Sequence, residues 1–240
     1  EIKDLGRTDV FSNISFCVRQ GEILGLAGMV GAGRSEIVET LFGMTKADQG
    51  EILLDGKKIK IRSVKDAIRN GIAMVTEDRR YYGFVGVRSV KDNIILPNGD
   101  LFCRKGFWNT KKIKKDVNEI CSRLSIKTPD IETQVANLSG GNQQKVVLAK
   151  WLVRNIRLLI LDEPTRGIDV GAKQEIYSLI TEFAKQGLAI ILISSDMPEV
   201  LSMSHRVGVV NGGKLLGILE KNEISQNRIM EMIVEAKDGK

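Results

Sequence analysis

Long apolar runs are missing from this sequence of 240 residues. The longest, such as Leu188 to Ile193, fall far short of the roughly 20 residues that a membrane-spanning helix needs, so any membrane association is expected to be indirect. The N-terminus lacks the basic, apolar and small-residue succession of a signal peptide. It opens at Glu1 without a methionine, which reads as an excised piece of something longer. Cysteine is sparse as well: Cys17, Cys103 and Cys121 are odd in number and far apart. That spacing suits neither a disulfide framework nor a zinc site and points to a reducing compartment. The lone histidine, His205, is expected on the surface or in a loop.

What is present is the composition of a globular protein, 42% hydrophobic and 28% charged, which argues against disorder. The length suffices for one domain with a full core. The net charge is +6, and much of the excess lies between Arg104 and Lys115. A solvated helix face accounts for that stretch better than a nucleic-acid or lipid patch.

Strands and helices alternate along the chain. Strands are expected at 14–18 and 22–27, the second running into a glycine-rich turn, with a helix over about 34–42. Asp55-Gly56 between two short strands is a hairpin signal. Ser63 can cap a helix to Asn70, and 72–76 reads as a strand. Residues 79–155 have a different texture, with helical patterns near 90–96, 111–124 and 139–154 and little strand. Short apolar runs at 158–161 and 189–193 flank a helix over about 171–185 and suit strands buried on both faces of a parallel sheet. The outline is an α/β core with a helical insertion.

Residues 28–35 read GMVGAGRS, the spacing of a phosphate loop. Gly28, Gly31, Ala32 and Gly33 leave room for backbone amides to turn around phosphate oxygens, and the following helix presents its positive end to the same charge. Ser35 stands where a hydroxyl ligates Mg²⁺. Two substitutions weaken the site. Arg34 replaces the compact ammonium of lysine with a planar fork, and Glu36 puts a carboxylate where a second hydroxyl would approach the α-phosphate. Hydrolysis there is expected to be inefficient. Downstream, Leu158 to Leu161 form an apolar strand ending in Asp162 and Glu163. Strand C-termini open onto the ligand crevice of a doubly wound sheet. Asp162 can hold Mg²⁺ through water, and Glu163 can polarise an attacking water for phosphoryl transfer.

Residues 138–144 read LSGGNQQ and open a helix at Ser139, so that small residues at a helix start form a second anion site. On this run, on LDEPTRGIDVGAK at 161–173, ISSDMPEV at 193–200 and GMVGAGRSE at 28–36, the whole chain resembles an ATP-binding cassette. In detail it is similar to the C-terminal cassette of bacterial importers of ribose, galactose or xylose. The resemblance implies a P-loop NTPase fold: a RecA-like parallel sheet core with an antiparallel β lobe and an inserted helical subdomain, at about 79–155, within a single nucleotide-binding domain spanning 1–240. It implies ATP and Mg²⁺ as ligands and a second cassette, fused N-terminally, as partner. Two cassettes pair head to tail with ATP between the phosphate loop of one and the signature helix of the other. Ser139, Gly140, Gly141 and Asn142 would then serve the partner's nucleotide, with Asp169 at the seam.

Further partners implied are transmembrane permease subunits, met near Arg79 to Phe84, and through them a periplasmic sugar-binding protein, which places the chain on the cytoplasmic face of the inner membrane. The chain departs from the family pattern at Glu77, where glutamine is usual, and at Ser195, where histidine contacts the γ-phosphate. With Arg34, the lysine, glutamine and histidine of the family pattern are thus all changed on its own phosphate site, while its signature matches in full. The isolated domain is expected to be a poor ATPase that completes its partner's site. A non-hydrolysing structural module is the near alternative. A nucleic-acid-associated cassette would need a coiled-coil or zinc insertion between Gly33 and Leu138, and no nucleic-acid partner is expected.

Overall fold

Alternating polar and apolar residues make the first strands half-buried. β1 (Ile2–Arg7) buries Ile2 and Leu5, and β2 (Phe11–Phe16) buries Phe11, Ile14 and Phe16. They pair antiparallel, with Leu5 opposite Ile14 and Phe11 opposite Arg7. That last pairing starts β2 three residues earlier than the expected strand at 14–18. β3 (Ile23–Ala27), buried throughout, leads into the glycine-rich turn, and α1 (Arg34–Leu41) follows. β4 (Gln49–Leu54) and β5 (Lys57–Ile59) form a hairpin. Its two turn residues, Asp55 (φ +50°) and Gly56 (φ +74°), adopt the left-handed pair that a two-residue hairpin loop requires. Ser63 caps α2 (Val64–Arg69), its hydroxyl accepting from the Asp66 amide at 3.3 Å, and β6 (Ile72–Val75) is buried.

The middle of the chain is mostly helical. A π-helical turn at Arg79–Gly83 precedes α3 (Val90–Ile95) and the one-turn α4 (Gly99–Phe102). Then comes a two-stranded hairpin, β7 (Cys103–Arg104) and β8 (Phe107–Trp108), before α5 (Thr110–Arg123) and α6 (Gly140–Leu152). The basic stretch at 104–115 is therefore helix only in its second half. Lys105 (φ +51°) and Gly106 (φ +82°) turn the first half into a hairpin, and Phe107 and Trp108 are exposed on it.

The last third restores the alternation: β9 (Leu158–Asp162), α7 (Val170–Lys185), β10 (Ala189–Ile193), α8 (Met197–Met203), β11 (Arg206–Asn211), β12 (Lys214–Glu220) and α9 (Gln226–Asp238). The computed structural model describes residues 1–238. They divide into two compact units, the first comprising Glu1–Met74, Arg157–Glu163 and the chain from Thr181 onward, the second Val75–Ile156 and Pro164–Ile180. The second unit thus takes in a stretch downstream of β9 besides the region anticipated as helical.

The first unit carries an antiparallel sheet in the order β2-β1-β4-β5 and a larger sheet in the order β12-β11-β3-β10-β9-β6. In the latter, β11, β3, β10 and β9 run parallel. Leu159 to Leu161 and Ile190 to Ile193 are buried, as strands covered on both faces must be. Register places Leu26, Ile193 and Asp162 side by side. The C-terminal ends of β3, β10 and β9 therefore reach the same edge of the sheet, and this positions the site.

A buried ion pair anchors the other end of these strands. Arg206 Nε donates to Glu22 at 2.5 Å and Nη2 at 3.0 Å, while Nη2 also donates to the Cys17 carbonyl at 2.8 Å. His205, exposed beside it, accepts the Ile23 amide on Nδ1 at 2.9 Å, which makes it a loop residue, as expected. Burial pushes the Glu22 carboxyl upward, but the Arg206 hydrogen bonds, the Arg19 amide and the charges of Arg206 and Arg19 together outweigh it, and the pKa is lowered. The pair thus stabilises the fold above the ordinary carboxylate range and loses its effect as the pH falls. Arg206→Met is expected to cost about 3–5 kcal/mol in denaturant unfolding, because it strands a buried carboxylate, and adding Glu22→Leu should recover most of that. A single-variant loss below about 1 kcal/mol would show that the pair does not anchor the strands.

Candidate phosphate site and signature helix

The turn after β3 is shaped by glycines that nothing else can replace. A Cβ on Gly28 would lie 2.2 Å from the Val210 carbonyl oxygen, so only glycine lets the chain pass β11. Gly31 (φ +76°) faces open space, and Gly33 (φ +98°) is the N-cap of α1 with no side-chain cap hydrogen bond. Amides at the start of this eight-residue helix are thereby left for an anion, and the helix dipole favours the same charge. Buried Ala32 ties the turn down, its amide donating to the Met29 carbonyl at 3.0 Å and its carbonyl accepting from the Gly213 amide at 2.9 Å.

Asp162, at the end of β9, is 2% exposed. The Ser35 hydroxyl hydrogen-bonds its carboxylate, and Asp162 Oδ1 has no hydrogen-bond partner among the described residues. Burial pushes the Asp162 pKa up to about 6, against the Ser35 bond that lowers it, with Glu163 raising it further and Arg34 lowering it. A buried carboxylate oxygen left unmet, beside a hydroxyl, suits a hard divalent cation whose shell is completed by phosphate and water oxygens. Glu163 adopts φ +49°, a left-handed conformation rare outside glycine, which turns its side chain from the strand; its carboxylate accepts from the Ser195 hydroxyl at 3.0 Å. Ser195 is thus bonded to the acid expected to polarise water.

Arg34 is buried, and its Nη1 donates to the Ser194 carbonyl at 3.0 Å. The side chain that replaces lysine is held by the end of β10. Glu36 is half-buried on α1, and together with burial its charge raises the Glu39 pKa. α1 and the end of β9 therefore carry three carboxylates here (Glu36, Glu39 and Asp162), against the one guanidinium of Arg34.

In the second unit, α6 begins at the signature. Ser139 is its exposed N-cap and makes no side-chain cap hydrogen bond. Its hydroxyl instead accepts from Asn142 Nδ2 at 2.9 Å, while Asn142 Oδ1 accepts the Lys127 amide at 2.8 Å. Asn142 therefore braces the helix start. A Cβ on Gly141 would lie 2.6 Å from that of Ala172, so glycine is needed for α6 to pack against the start of α7. Asp169 is exposed and caps α7, Oδ1 accepting the Ala172 amide at 2.9 Å. Glu77 forms an ion pair with Arg166.

Sequence reasoning missed three participants. Arg166 partners Glu77; Glu39 acts on Asp162 through its charge; and Arg79, read as part of an exposed cluster, turns inward. Its guanidinium donates to the carbonyls of Arg166 and Gly167, the latter at 3.0 Å. Tyr81 and Tyr82 remain exposed, their rings edge to face at 4.6 Å. Asp78 caps the turn by accepting the Arg80 and Tyr81 amides at 3.0 Å each.

The raised pKa of Asp162 has a direct consequence for stability. Because the folded chain holds this proton more tightly than the unfolded one, the stabilisation is full below pH 3.8 and is lost as the pH rises through about 6. Asp162→Asn is expected to stabilise the ligand-free chain by about 2–3 kcal/mol at pH 8 and by almost nothing at pH 4. Thermal or urea unfolding at the two pH values measures it. A pH-independent effect contradicts the assignment of a buried, ionised Asp162.

A family model described as "ABC transporter" matches residues 11–166. The chain is 52% identical to a ribose/galactose/methyl galactoside import ATP-binding protein (the name is provisional) of Rhizobium etli, over 96% of this chain and 44% of that protein. It is 51% identical to the ribose import ATP-binding protein RbsA of Oceanobacillus iheyensis, over 96% of this chain and 46% of that one. It therefore spans less than half the length of these curated relatives. Among solved structures, cbiO1 of Clostridium perfringens, part of the ABC transporter complex cbiONQ, superposes with a TM-score of 0.78 at 26% identity, covering 96% of this chain and 92% of the other. The glycine turn before α1, the acidic end of β9 and the uncapped start of α6 are thus parts of a P-loop NTPase cassette, and the chain belongs to the ABC transporter family.

Proposed function

We propose that this chain is the C-terminal ATP-binding cassette of a bacterial monosaccharide importer, and that its main catalytic contribution is made to the nucleotide of a second cassette. The observation that carries the reading is the contrast between its two anion-binding ends. The start of α6 offers Ser139, Gly140 and Gly141 without a side-chain cap. Its own phosphate turn has Arg34 bonded to a backbone carbonyl and Ser195 bonded to Glu163. Sugar import is supported by the names of the relatives, and a fused second cassette by their being about twice as long.

ATP is the substrate. At this chain's own turn, Ser35 and Asp162 are the residues suited to hold Mg²⁺, which when bound neutralises phosphate charge. Gly31 to Ser35 supply amides to the phosphates, and Glu163 orients water. Glu36 and the withdrawn Arg34 leave that turn poor in positive charge, so it binds nucleotide and turns it over slowly. At the other site the α6 start presents hydrogen-bond donors and a positive dipole end to the γ-phosphate held by the partner, a preorganised electrostatic contribution to the transition state. No described helix is long and apolar enough to cross a membrane. Attachment to the cytoplasmic face of the inner membrane would run through permease subunits, for which exposed Tyr81 and Tyr82 offer aromatic contact.

The test compares two variants in the complete two-cassette protein. Ser139→Ala is expected to lower ATP turnover on the order of 10²-fold, the scale for losing one preorganised donor. Glu163→Gln in this chain should change turnover by less than about twofold. The opposite ranking would place the working site on this chain's own phosphate turn and overturn the proposal.

A further inference from the structure

The chain leaves β6 through Glu77 and Asp78, and Asp78 folds the next residues into a π-helical turn. That turn directs Arg79 into its own unit. The Arg79 guanidinium donates from Nη1 to the Arg166 carbonyl and from Nη2 to the Gly167 carbonyl at 3.0 Å. Gly167 sits at φ +68°, the left-handed bend that favours glycine. The same guanidinium lies over the start of α6: a Cβ built on Gly140 would be 3.2 Å from Arg79 Nη2, and 3.5 Å from the Gly167 carbonyl oxygen. One side chain thus bonds the turn that leads to Asp169 and lies beside the first helical residue of the signature, where it leaves little room for any side chain. Beside it the Glu77–Arg166 ion pair closes the same turn from the side-chain direction.

Two physical features separate this arrangement from ordinary packing. A planar fork holds its parallel N–H groups on two carbonyls in one fixed geometry, whereas a tetrahedral ammonium on a flexible stem does not fix that geometry. A cation at the N-terminal end of a helix has the wrong sign for the dipole. Burial disfavours the charge on Arg79 and Arg80 adds repulsion, against the favourable Asp78 charge, so the two carbonyl hydrogen bonds are what hold the guanidinium there.

We propose that Arg79 is a positioning residue for hydrolysis at the partner cassette's nucleotide: it locks the Arg166–Gly167 turn to the start of α6, so that the Ser139–Gly141 donors and Asp169 are presented as one rigid face. The inference rests on the composite-site reading above. It assigns to Arg79 a role in the transition state rather than in ground-state nucleotide binding, because the clamp sets geometry and need not itself touch ATP.

The experiment measures steady-state ATP hydrolysis of the complete two-cassette protein carrying Arg79→Ala, Arg79→Lys, Ser139→Ala or the Arg79→Ala/Ser139→Ala pair, with thermal unfolding alongside. Arg79→Ala is expected to lower kcat at least about tenfold with KM for ATP within about threefold, because an interaction realised only in the transition state is lost. Arg79→Lys, which keeps the charge, should recover less than about a third of the lost rate, since a flexible ammonium does not reproduce the fixed planar fork. It also serves as the folded variant should the alanine protein unfold. The pair should be no slower than Ser139→Ala alone, as two changes acting through one face are not additive. If Arg79→Ala, or Arg79→Lys where alanine unfolds, keeps kcat within about twofold while Ser139→Ala abolishes it, the clamp is refuted and the composite site stands. Full rescue by lysine, or effects of the pair that simply multiply, also refutes it. If Ser139→Ala leaves kcat unchanged, the composite-site reading itself fails.

Discussion

A carboxylate is buried at the end of β9 with one oxygen unmet, and the rest of the phosphate site is arranged around that fact. Asp162 costs stability when ionised, since desolvation disfavours its charge and only the Ser35 hydroxyl and the Arg34 charge compensate. The parallel register explains how it comes to lie there. With Ile193 beside both Leu26 and Asp162, the ends of three strands share an edge, and the glycine turn and the Ser194–Ser195 segment must follow at the same level. Residues 160 positions apart, Arg34 and Ser194, meet for that reason.

The starts of α1 and α6 are built alike and equipped differently. Each begins at a residue that makes no side-chain cap bond, Gly33 for α1 and Ser139 for α6. Around α1 the neighbours are acids, and the one nearby guanidinium is taken up by a carbonyl. Around α6 the neighbours are bracing residues: Asn142 fixes the Ser139 hydroxyl, Gly141 lets Ala172 approach, and Arg79 lies over Gly140. Under the proposed composite site, the changes to the phosphate turn and the retention of the signature share one electrostatic reading: the second helix start serves the partner's triphosphate and the first holds its own only weakly. Glu77 fits the same division. Its carboxylate is engaged by Arg166, so the position acts within its own unit to hold the turn before α7.

Much of this was legible in the residues because it depends on local pattern. The Asp55-Gly56 hairpin, the Ser63 cap and the buried runs of β9 and β10 follow from turn chemistry and periodicity, and LSGGNQQ marks the start of α6 by composition alone. The rest depends on tertiary partners that no short window contains. β1 carries positive φ at Asp4 and irregular register, which blurs its alternation. β7 and β8 are two residues each, too short for any period, and lie at the start of a basic stretch that continues as helix. Arg79 looked like an interface residue because its acceptors are backbone carbonyls 87 and 88 positions away, and carbonyls leave no trace in sequence.

The head-to-tail claim is tested most directly by determining the structure of the complete two-cassette protein with a nonhydrolysable ATP analogue and Mg²⁺. The account predicts a triphosphate gripped by the partner's phosphate loop, with the Ser139 hydroxyl and the Gly140 and Gly141 amides within about 3 Å of its terminal oxygens. An α6 start that faces solvent, or that closes on its own unit while nucleotide fills the partner's loop, would contradict it.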